Sequence, residues 1–147
     1  HVDAVLLQPG GGDPCALVER ARALLGQRER RHGDPYAERF LLLDSDKVGQ
    51  APQRDARARQ IAEQTGFQLI WQEPCHEAML LRHLENCTNL RPATTPLAIQ
   101  QLSQRWPEYQ KGMAAMRLAD RIDLSGARRV AQGDAALAAL LTAIGFG

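Results

Sequence analysis

Two aspartates two residues apart follow an uninterrupted apolar run: Phe40-Leu41-Leu42-Leu43 leads into Asp44-Ser45-Asp46-Lys47-Val48-Gly49. A run of that kind reads as a buried strand, and α/β folds gather their ligands at the C-terminal ends of such strands. In extended backbone, side chains two apart project to the same side, so Asp44 and Asp46 are expected to face one crevice. Paired carboxylates suit Mg²⁺ or Mn²⁺, hard cations that take carboxylate oxygens, waters and substrate phosphate oxygens. Gly49 would let the backbone turn away from the ion. Other readings exist, because an aspartate at a strand end also serves as a helix cap. A calcium loop would begin Asp-Ser-Asp with glycine at its sixth position, as here. Its fifth position is Val48, however, its twelfth is Asp55 rather than glutamate, and a strand precedes it, so that reading fails. An aspartate-based phosphotransfer enzyme also places its nucleophile at a strand end. Its familiar form has threonine two residues after the second aspartate, where this chain has Val48.

A second group is Gln72-Glu73-Pro74-Cys75-His76-Glu77, which follows the apolar run Phe67 to Trp71 and opens a helical pattern. Ends of neighbouring strands converge, so Glu77 or Glu73 could complete an acidic cluster with Asp44 and Asp46. His76 could serve as a general base or contact phosphate. The plainer reading makes Glu77 a carboxylate favoured by the helix dipole. Cys75, His76, His83 and Cys87 match no closed zinc site, and the cysteines read as small buried hydrophobes. The loop Gln8-Pro9-Gly10-Gly11-Gly12-Asp13-Pro14 stands where anions bind, before a helix. It matches neither a nucleotide P-loop nor a dinucleotide fingerprint, and it also reads as a plain tight turn. Arg20, Arg22, Arg28, Arg30 and Arg31 could line a phosphate-binding face or form a solvated one.

The elements that must position these groups follow from the apolar pattern. Val2 to Leu7, Phe40 to Leu43 and Phe67 to Trp71 predict three strands, each buried on both faces as in a parallel sheet covered by helices. Asp13-Pro14 predicts an N-cap with proline at the first helical position, and Ala16 to Leu25 a helix. Gly26 to Pro35 reads as a loop or frayed helix end. Ala51 to Thr65 predicts a helix closed by Gly66. The order β-α-β-α-β predicts a doubly wound α/β core with right-handed crossovers. Beyond Trp71, helices are expected at Cys75 to Leu84, Pro96 to Trp106, Gly112 to Leu118 and Asp134 to Ile144. Trp106 and Tyr109 read either as a partner surface or as core.

The chain has 147 residues, 18 basic against 17 acidic side chains and 44% hydrophobic residues, as a single ordinary globular domain would. The near balance of charge excludes a polybasic nucleic-acid coat but not a local basic groove. No apolar stretch approaches the roughly 20 residues that a membrane-spanning helix needs, and no secretory signal is visible. Three cysteines without a CxxC pair point to a reducing, cytoplasmic compartment. Sixteen of the 18 cationic side chains are arginine, which fits either phosphate recognition or a compositional bias. The chain opens on His1, so a natural start upstream is expected.

Four segments in order resemble the RloB-like proteins: the strand-like start running into Pro-Gly-Gly-Gly-Asp-Pro and a helix, then FLLLDSDK, then QLIWQEPCHEAMLLRHL, then Pro107 to Gly112 with its Tyr-x-Lys stretch. The resemblance extends to about residue 130. It implies a small, mostly parallel, Rossmann-like sheet of TOPRIM type flanked by helices. Residues 1–147 would form one domain, with an α/β core over 1–85 and a helical extension over 86–147. The implied activity is a Mg²⁺- or Mn²⁺-dependent nuclease of a phage-defence or abortive-infection system, acting on DNA or RNA beside an ATPase partner. The implied metal ligands are Asp44, Asp46 and Glu77, the last within a Pro-x-x-Glu element from Pro74, with His76 where the family has an aromatic residue. The family's upstream glutamate has no counterpart here: either it lies on a piece before residue 1, with the first strand, or this member has lost it, and the 147 residues are expected to bind metal weakly and to be inactive. The other readings are a non-catalytic module partnering an ATPase and an aspartate-based phosphotransfer enzyme.

Overall fold

A computed structural model describes residues 1–147, which form seven helices and a two-stranded parallel sheet. The chain divides into two compact units, residues 1–71 and 72–147.

The first unit begins with α1 (Pro14–His32). Asp13 caps it by accepting from the Ala16 N–H at 2.8 Å, and Pro14 stands at the start, as the residue types predict. The helix continues through Gly26 to His32, where a loop or frayed end was expected. The residues there are mostly Gln, Arg and Glu, good helix formers that outweigh one glycine. β1 (Phe40–Asp44), α2 (Pro52–Thr65) and β2 (Gln68–Gln72) follow. Gly66, at φ 74°, ends α2 in the left-handed conformation that a side chain would oppose. The core joins Val18 of α1, Leu41 and Leu43 of β1, and Ala58, Ile61 and Ala62 of α2. The Phe-Leu-Leu-Leu run is not buried on both faces: Leu41 and Leu43 enter the core while Leu42 stays 44% exposed. A two-stranded sheet with one covered face alternates in burial, whatever the apolarity of the run.

Residues 2–7 form no strand, contrary to the pattern. Strand conformation needs a backbone partner. This segment is instead tied by its side chains, with Asp3 accepting from Arg28 Nη1 and from the Tyr36 hydroxyl, each at 2.8 Å. Leu7 packs on the core while Val2 and Leu6 lie exposed. The observed order is therefore α-β-α-β.

The second unit is helical: α3 (His76–His83), α4 (Thr95–Arg105), α5 (Ala115–Leu118), α6 (Leu124–Ala131) and α7 (Ala135–Ala143). Four of these were legible as helices, though α5 is a single turn. α6 was not, because it is only eight residues long and includes a glycine. Asp123 caps it, accepting from the Gly126 N–H at 2.7 Å. Gly126 is there for space, since a Cβ would stand 2.6 Å from the His83 carbonyl oxygen. The core gathers Leu80, Leu81 and Leu84 of α3, Cys87, Leu102 of α4, and Trp106. Trp106 is 3% exposed, so the core reading of that aromatic holds. No helix is long and apolar enough to cross a membrane.

Candidate functional site

The leucines of β1 anchor the strand, and its last residue is Asp44, half-buried at the edge of the unit. The chain then turns: the Val48 N–H donates to the Ser45 carbonyl at 3.0 Å. Asp46 thus lies exposed in a turn, and the alternation of an extended strand does not carry past Asp44. Gly49 completes the reversal at φ 90°, and its N–H donates to Asp55 Oδ2 at 2.7 Å. Asp55, buried in the first turn of α2, therefore anchors the loop that carries both aspartates. Its place near a helix start was the available signal, and it gave no hint of a loop anchor. A crevice of about 20 Å³ beside Val48, Asp55 and Trp71 has room for about one water.

The donor set of this turn, two carboxylates reachable from solvent, fits a hard divalent cation that keeps several waters. Within neither unit do three His, Cys, Asp or Glu side chains gather closely enough to form a metal cage.

His76 and Glu77 stand together in the first turn of α3, in the second unit. Glu77 is 5% exposed, and the Tyr109 hydroxyl points at its Oε1 at 3.4 Å. Burial, reinforced by that carboxylate, pushes the Tyr109 phenol up to about 12. Burial also pushes His76 below its ordinary value, although Glu77 opposes it. His76 Nδ1 lies 2.9 Å from Gln72 Nε2. With the amide donating, Nδ1 accepts and the ring proton sits on Nε2. Neither Tyr109 nor Gln72 stood out as a site partner in the sequence, because only folding brings them to Glu77 and His76.

The zinc alternative loses its ligands to ordinary packing. Cys75 and Cys87 are buried free thiols, and burial pushes Cys75 up. His83 Nδ1 is 2.7 Å from the Met79 carbonyl oxygen, so its N–H is spent inside α3.

The glycine-rich loop has the wrong polarity for a phosphate cradle. Arg20 donates to the carbonyls of Pro9 at 2.7 Å and Gly11 at 2.6 Å, so the loop offers oxygens to a cation. Asp13, besides capping α1, pairs with Arg54, which draws its carboxyl down to about 2. Arg20 and Arg28 of the arginine cluster thus secure the segment before α1 rather than a ligand.

A family model described as RloB-like protein matches residues 3–139. No curated protein and no solved structure matches.

Proposed function

The chain belongs to the RloB-like family, and from that premise we propose that it is a Mg²⁺-dependent nuclease of TOPRIM type. The observation that carries this reading is the end of β1, where Asp44 and Asp46 enter a solvent-reachable turn braced by Asp55. Asp44 and Asp46 hold the ion, Mg²⁺ or Mn²⁺, as two oxygen ligands. When bound, such an ion supplies Lewis-acid polarisation of the phosphate and an acidified water.

Glu77 is the third carboxylate on the strength of its Pro-x-x-Glu spacing and the family resemblance. His76 contacts phosphate: with Nδ1 accepting from Gln72, its remaining group is an Nε2–H donor, better suited to a phosphate oxygen than to accepting a proton. The substrate is DNA or RNA, the setting is cytoplasmic phage defence, and an ATPase is the partner protein. A second reading, a non-catalytic module within such a complex, draws on the exposed apolar Val2 and Leu6.

The test is cleavage of labelled DNA and RNA by the full natural protein with Mg²⁺ or Mn²⁺. Loss of cleavage in Asp44→Asn and in Asp46→Asn is expected. Cleavage that survives both substitutions sinks the mechanism, and an aspartyl-phosphate trapped at Asp44 would show phosphotransfer instead.

A further inference from the structure

A surface hollow of about 310 Å³ lies in the second unit, walled by one continuous stretch with Lys111 and Arg117 as its cations and Glu108 as its carboxylate. Its floor is fixed. Tyr109, Met113 and Leu118 pack on the cluster around Trp106. The Tyr109 N–H donates to the Trp106 carbonyl and the Met113 N–H to the Gln110 carbonyl, each at 3.0 Å. Apolar side chains thus hold the stretch down, while Lys111 and Arg117 stay exposed.

The neighbouring arginines have other duties. Arg105 donates to the Gln101 carbonyl at 3.3 Å. Arg121 lies over the Trp106 ring at 5.6 Å and donates to the Arg105 carbonyl. Arg117 meets Asp120 at 3.5 Å with both side chains about two-thirds exposed, a pairing that contributes little and that an incoming anion can displace. The volume stands at the low end of ligand pockets, about 300–1,000 Å³. Its rim is polar apart from Met113 and Ala114. Those are the properties of a seat for a phosphate group, not for an apolar ligand.

We propose that this hollow binds a backbone phosphate of a nucleic acid, Lys111 acting as a point charge and Arg117 as a two-pronged donor. The proposal rests on the nuclease reading and assigns a substrate contact apart from the carboxylates.

The test is fluorescence anisotropy of a short labelled single-stranded oligonucleotide with the full chain in chelator, where no cleavage competes. The pair Lys111→Glu with Arg117→Glu is expected to weaken binding about tenfold or more. It should flatten the dependence of log Kd on log salt by about 1.4, the share of two phosphate contacts on a single strand. The single variants Lys111→Gln and Arg117→Gln, which disturb folding less, should each remove about 0.7. The reversal Arg57→Glu, on the exposed face of α2, is expected to leave binding unchanged.

Unchanged affinity and salt slope in the hollow variants overturns the proposal, as does an equal loss in Arg57→Glu. So does a wild-type chain that binds inorganic phosphate but no oligonucleotide. The two readings fail separately. Hollow variants that bind normally while Asp44→Asn abolishes cleavage retain the nuclease and remove the hollow. Hollow variants that lose binding while Asp44→Asn still cleaves do the reverse.

Discussion

In residues 1–71 charged side chains other than the buried Asp55 stay near the surface and tie down irregular chain. Arg20 holds the glycine-rich loop, Arg54 holds Asp13, and Arg39 reaches Glu29 at 2.8 Å. In residues 72–147 a single helix, α3, carries Glu77, Arg82 and His83 into the interior, with Arg82 donating to the Glu73 carbonyl. The comparison separates two uses of charge. Surface pairs position a loop at small energetic value, whereas buried charges are costly unless the fold supplies partners. The solvent-reachable carboxylates Asp44 and Asp46 belong to the first kind of setting, and the enclosed Glu77 to the second.

The contrast should vanish when only apolar packing is touched. Ile61→Ala in the first unit and Leu102→Ala in the second, both fully buried, are each expected to cost about 2–5 kcal/mol in urea denaturation. A cost below 1 kcal/mol for either would mean that its core is loosely packed. The contrast should return at two glycines. Gly126→Ala drives a methyl into the His83 carbonyl and should cost about 1–3 kcal/mol. Gly26→Ala, in the middle of α1, meets only the mobile end of Arg30 and should stabilise by about 0.5–1 kcal/mol. Equal effects at the two sites would erase the distinction.

Acid should affect the two units in turn. Burial holds the His83 imidazole below its ordinary value of 6.5. Its contribution is therefore complete above that value and is lost as pH falls through the lower folded value. Asp13 is held at about 2 against an ordinary 3.8, so its contribution persists to about 3.8 and is lost as pH falls towards 2. Stability measured against pH should decline first through His83 together with His76, a phase that His83→Gln reduces, and later through Asp13, a phase that Asp13→Asn reduces. The reverse order would show that burial of His83 is not what sets its proton affinity. At neutral pH Asp13→Ala, which removes the cap of α1, is expected to lower the urea midpoint by less than either core truncation.

Local signals proved legible where local physics decides. Asp13-Pro14, Gly66 and the boundary of β1 at Asp44 all follow from caps, glycine conformation and apolar runs. Partner-dependent features were not legible. Val2 to Leu7 has strand composition but no strand, because pairing is a property of the neighbour. The polar stretch after Gly26 continues as helix because its residues favour one. In the site, Asp44 and Asp46 could be placed at a strand end, but the turn that begins at Ser45 and its Asp55 anchor could not. Glu77 was visible as a first-turn carboxylate. Its burial beside Tyr109, 32 residues away, depends on how α3 packs within its unit.

The central claim is that Asp44 and Asp46 bind a divalent cation, and titration of Mn²⁺ into the full natural protein tests it most directly. Saturable binding that is lost in both Asp44→Asn and Asp46→Asn is the predicted result. Binding equal to wild type in both variants would contradict it.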